Sequence, residues 1–243
     1  MASKAESGHA KNIAAFKTII NACEGYGADY NPTADSLKIT NLQTQLADAQ
    51  AAQTDLLKKH AKLSTTIDER IKAFTPLKPI TTRIINALIV SDVEPITIAT
   101  AKTITRKIFG KRAAKISQPL NPDEEQPNNI SVSQLSYVNQ VANFNALLEL
   151  LAELPQYNPN EAPIQPNQLQ TYRDQLQTQN DAAMQAYNDY ANAKIIRNNR
   201  LYATKTGIVD TAQAIKAYVK SLYGPGTPQY KLISGIELKY RKI

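Results

Sequence analysis

Two histidines and one cysteine are all that 243 residues supply for imidazole or thiolate chemistry. Any such chemistry would have to be built from His9, His60 and Cys23. A Cys–His or Ser–His–acid centre needs its base within hydrogen-bond reach of the nucleophile. His9 stands in a polar N-terminal stretch that reads as unstructured. His60 falls at helical spacing between Leu56 and Leu63, and Cys23 sits on an apolar helical face, so both read as packing material. Carboxylate-bridged di-iron sites in helical bundles draw on Glu-x-x-His pairs, and the chain has none. Cys23, His9 and His60 share no zinc-ligand spacing. Gly25-Tyr-Gly27 and Gly224-Pro-Gly226 read as helix stops rather than phosphate cradles, since a dinucleotide loop follows a strand. The expectation is a non-enzymatic protein with no metal and no cofactor.

The charge tells where an interaction surface could lie. Lys and Arg number 28 against 21 Asp and Glu, a formal +7. The excess is confined to residues 1–121, with 17 basic and 10 acidic, whereas residues 122–243 carry 11 of each. Lys102, Arg106, Lys107, Lys111, Arg112 and Lys115 form a stretch without an acid, the candidate site for a polyanion. At 100° per residue these six cations surround the helix instead of forming one stripe. Cations near a helix C-terminus also complement its dipole, and Lys239, Arg241 and Lys242 repeat the pattern near residue 243.

The elements that would hold such groups repeat. Phe16-Lys-Thr-Ile-Ile-Asn is echoed by Phe144-Asn-Ala-Leu-Leu-Glu, Tyr30-Asn31-Pro32 by Tyr157-Asn158-Pro159, and Leu42-Gln43-Thr44 by Leu169-Gln170-Thr171. The latter two share an offset of 127, and Ala87–Ser91 lies opposite Ala217–Ser221 at 130. The order and near-constant offset point to an internal duplication. Residues 1–117 then form a first, basic helical repeat, 118–130 a Pro/Asn-rich linker, and 131–243 a second repeat.

Within the first repeat, a proline-free run from Asp35/Ser36 to Phe74 reads as one long helix of about 38 residues. Ile39, Leu42, Leu46, Ala49, Gln53, Leu56, His60, Leu63, Ile67, Arg70 and Phe74 step by three and four along its seam. The offset carries this to Leu169, Arg173, Leu176, Asn180, Ala183, Tyr187, Tyr190, Lys194 and Leu201. Shorter helices precede the long ones at Asn12–Glu24 and Ser131–Leu154. The latter has an inner face of Leu135, Val138, Val141, Phe144, Leu147, Leu148 and Leu151. Further helices run through Ile80–Ile89 and Ile208–Leu222, and fourth helices start near Glu94-Pro95 and Thr227-Pro228. No period-two alternation marks a strand. The fold class expected is all-α, two tandem four-helix units in a helical-bundle architecture.

Gln53 and Asn180 occupy matching seam positions, where a buried amide fixes register. Tyr172, Tyr187, Tyr190, Tyr202, Tyr218, Tyr223 and Tyr230 crowd the second repeat as core or groove residues. With no secretory h-region and no run of eighteen apolar residues, a cytoplasmic address is expected. The function expected is structural, scaffolding or partner-binding, through a protein partner or self-association. Nucleic-acid or other polyanion binding by the basic half is the alternative.

Overall fold

The computed structural model describes residues 4–110 and 135–241, with side chains from residue 8 onward. Among them there are eight α-helices and no strand. They are α1 (Lys4–Gly25), α2 (Ile39–Phe74), α3 (Leu77–Val90), α4 (Pro95–Phe109), α5 (Tyr137–Ala152), α6 (Pro166–Tyr202), α7 (Ile208–Tyr223) and α8 (Pro228–Ser234). Short 3-10 turns at Asp35–Leu37 and Ala162–Ile164 introduce the two long helices. The all-α class is therefore as expected. Linker 118–130 and the cations Lys111, Arg112 and Lys115 lie outside the described residues.

The helix boundaries follow local chemistry. α1 stops at Gly25, and Gly27 takes a left-handed φ of +59°. Pro95 and Pro228 open α4 and α8, where a missing N–H costs nothing. Ser136 and Thr227 cap α5 and α8 by accepting from the Asn139 and Tyr230 amides. α4 ends at Gly110, whose φ of +68° supplies the left-handed cap. Leu135 sits where a Cβ on Gly110 would be, so this position takes no side chain.

Two compact units emerge, and they do not coincide with the halves 1–117 and 131–243. Unit 1 is Met1–Leu63 with Ala186–Ile243, and unit 2 is Ser64–Gln185. In unit 1, α1 packs on α7 and α8, and α7 packs on the turn Asp35–Leu37. Its core centres on Phe16, Ile19, Leu42, Leu201, Ile215 and Val219. In unit 2, α4 packs on α3 and α5, and α3 packs on the turn Ala162–Ile164. Its core centres on Leu77, Ile84, Leu88, Phe144, Leu147 and Leu169. Each unit thus takes an entry helix and the start of a long helix from one half of the sequence, and its remaining helices from the other. The inward pattern identifies which side chains are buried; it does not say which helix buries them.

Several single positions differ from expectation. His9 is not in an unstructured start but buried in α1, its Nδ1 2.6 Å from the Tyr202 hydroxyl. Leu135 and Val138 are exposed, as are Ile89, His60, Tyr187 and Lys194. On α6 the inward positions are taken by Ala186, Ala193 and Arg197 instead.

Candidate functional site

The Tyr-Asn-Pro signature builds the same corner twice. Tyr30 in unit 1 is buried and its hydroxyl donates to the Leu37 carbonyl at 3.0 Å. Tyr157 in unit 2 is buried and donates to the Ile164 carbonyl at 2.8 Å. Both acceptors close the 3-10 turn ahead of a long helix, so the phenol pins the chain where it changes direction. Burial raises both phenols: Tyr157 is pushed up to about 12, with the Glu161 carboxylate adding to the effect. Tyr30 is raised by burial and by the Cys23 thiol beside it.

The helix packed over each corner is also matched. Leu77, Thr81, Ile84 and Leu88 of α3, and Ile208, Ala212, Ile215 and Val219 of α7, are all fully buried. That spacing sets the register at 131, one residue beyond the 130 suggested by the sequence. Ala87 is then the counterpart of Tyr218. In unit 1 the Tyr218 ring meets Tyr30 edge-on, centroids 5.2 Å apart at 89°, and its hydroxyl accepts from the Asn31 amide at 3.2 Å. In unit 2 the alanine leaves a groove of about 470 Å³, lined by Ala87 and Val90 of α3 and by Asn158, Glu161 and Ile164 of the corner. Arg83 completes the α3 wall. At its rim Val90 is 85% exposed, and Ile96, across the α3–α4 turn, is 77% exposed.

A second groove of unit 2 lies between Glu69, Lys72, Tyr172 and Gln179, and the Tyr172 hydroxyl there is committed to the Ala73 carbonyl. Of the polyanion candidates, Lys102 and Lys107 are exposed and Arg106 is half-buried, its guanidinium donating to Thr103 at 2.9 Å. Arg106 and Lys107 lie in the last turn of α4, where they complement the helix dipole. The three described cations do not converge on one face.

Cys23 is fully buried, and burial pushes its thiol up to about 12 despite the opposing effect of the neighbouring Tyr30 hydroxyl. Such a thiol is a poor nucleophile. His60 is exposed, tilted against Tyr190 at 5.3 Å. Among the described residues no group of three His, Cys, Asp or Glu could hold a metal, and no helix is long and apolar enough to cross a membrane.

The seam amides meet arginines. In unit 1 Arg197, 1% exposed, donates to Asn198 at 2.9 Å and to Gln53 at 3.4 Å. In unit 2 Arg70 donates to Asn180 at 3.5 Å and lies 4.2 Å over the Tyr137 ring. Arg70 and Arg197 are themselves 127 apart, as Gln53 and Asn180 are. Sequence reasoning missed Arg197 because a cation is an improbable core residue, yet the same offset applied to Arg70 points to it. No family model matches the chain, and neither does any curated protein or solved structure.

Proposed function

We propose that this chain is a non-enzymatic helical-bundle protein with a structural, scaffolding or partner-binding role, engaging a protein through unit 2. One observation carries the reading: the groove beside Tyr157 is open and lined at its edge by Val90, a large apolar side chain left in water, and Ile96, six residues on in the chain, is exposed as well. Large apolar side chains exposed near a recess are characteristic of interaction sites. The corner in unit 1 has its groove filled from within, so the openness in unit 2 is a property of one corner and not of the motif.

A photo-cross-linking residue in place of Val90 tests it. In extract of the source cells a discrete protein adduct is expected, lost on Ile96→Asp and absent when the probe replaces exposed Tyr187. No adduct, or turnover of a metabolite in an activity screen, overturns the reading. The polyanion alternative draws on the exposure of Lys102 and Lys107. It requires binding to a phosphate polymer that falls steeply with salt and is weakened by Lys102→Gln with Lys107→Gln.

A further inference from the structure

We propose that the groove beside Tyr157 accepts the uncharged phenol ring of a tyrosine presented by a partner polypeptide. The chain's own counterpart provides the template. In unit 1 a phenol occupies the corresponding place, with Tyr30 meeting it edge-on and the Asn31 amide donating to its hydroxyl. Part of the receiving frame recurs in unit 2: Asn158 and Ile164, the residue that accepts from the Tyr157 hydroxyl, line the groove, while the Tyr157 ring lies buried behind them. Tyr157 is held as Tyr30 is, by a hydroxyl bond to the residue seven positions on. The Asn31 amide donates to two acceptors, the Asp29 carbonyl at 3.0 Å and the Tyr218 hydroxyl. The Asn158 amide keeps the first bond, to the Gln156 carbonyl at 3.1 Å, and Asn158 is one of the residues lining the groove. Ala87 stands where Tyr218 departs from its helix, so the space of the missing ring is reached from outside.

Charge narrows the ligand. The groove has one cation, Arg83, on its helical wall and one anion, Glu161, on its loop wall. A lining with one charge of each sign has no net charge to offset an added phosphate dianion, and suits a neutral, dipolar group. The exposed Val90 at the groove's edge suits the residues flanking an inserted aromatic in a polypeptide.

The inference rests on the partner-binding reading for its occupant, and its test does not use the partner. The full chain is titrated with p-cresol, then with N-acetyltyrosinamide, while its amide resonances are followed by NMR; p-cresyl phosphate is the control. Saturable shifts at Ala87, Val90 and Asn158 are expected, with a Kd of about 1 mM for an eight-atom fragment, and weaker binding of the phosphate. Ala87→Tyr should abolish the response without lowering the melting temperature. Tyr218→Ala should create a second responding site around Asn31 and be stabilised by p-cresol. Absent or non-saturating shifts in the unaltered chain, persistence in Ala87→Tyr, or equal binding of the phosphate overturns the proposal. A cross-link at position 90 without a phenol response sinks this inference and leaves the proposed function; a phenol response without any adduct sinks the partner and the occupant with it.

Discussion

The corners at Tyr30 and Tyr157 start from the same three residues and present opposite surfaces. One is closed by Tyr218 from the helix above it; the other has Ala87 there and stays open. The polar layers differ in the same manner. Arg197 is sealed among Asn198 and Gln53, whereas Arg70 is half-buried and rests on the face of Tyr137. Unit 1 has its paired features completed internally, and unit 2 has them partly open to solvent. A framework that tolerates either state has its fold determined by the shared groups, and its surface by the few that differ.

The largest effect expected is at the arginines. Arg197→Ala removes a side chain 1% exposed that donates to Asn198 and Gln53, and should cost about 3 kcal/mol. Arg70→Ala removes a half-buried cation from an aromatic face and should cost about 1 kcal/mol. Urea midpoints with unchanged slopes read both values, and equal losses would break the comparison between the layers.

The corner hydroxyls come next. Tyr30→Phe and Tyr157→Phe each delete one hydrogen bond to a turn carbonyl and should cost about 1 kcal/mol. The Tyr157 phenol titrates near 12 when folded, against about 10 in an unfolded chain. Folding therefore favours the neutral form. That contribution is whole below about pH 10 and is lost as pH rises through the folded value. Alkaline unfolding monitored between pH 9 and 12 should flatten in Tyr157→Phe, and an unchanged profile would show that burial does not hold the proton on the Tyr157 phenol.

The smallest effect is on Cys23. Its thiol is buried and raised to about 12, so iodoacetamide at pH 8 should label the native chain far more slowly than the urea-unfolded chain. Similar rates would mean that the corner of unit 1 opens as readily as a surface loop.

Much of this was legible in the sequence, for identifiable reasons. The offset of 127 put Tyr30-Asn31-Pro32 and Tyr157-Asn158-Pro159 at matching places in the chain, but it did not show that each phenol pins a turn, since the carbonyl acceptors Leu37 and Ile164 carry no sequence signal. Period-3.6 patterning located the long helices and the burial of Leu42, Leu56, Leu169 and Leu176. The pairing of elements was not legible. A seam such as Leu77, Ile84 and Leu88 specifies an apolar face, and any apolar partner satisfies it, so the division into units 1–63 with 186–243 and 64–185 had no local signature. His9 was obscured by its polar neighbours, although His9, Asn12, Ile13 and Phe16 share one helical face; Asn12 is there committed to both the amide and the carbonyl of Lys239. The groove needed two facts that sequence alone does not join: that α3 lies over the Tyr157 turn, and that the register of α3 to α7 is 131.

That the two flanks of the chain together make unit 1 also orders its birth on the ribosome. Residues 64–185 are one uninterrupted stretch and can condense as they emerge, while the first 63 wait for partners encoded about 120 residues downstream. At cellular elongation speeds that delay lasts on the order of ten seconds. Throughout it the oily side of the first helix, Phe16, Ile19 and Ile20, must be shielded by transient collapse or by a chaperone.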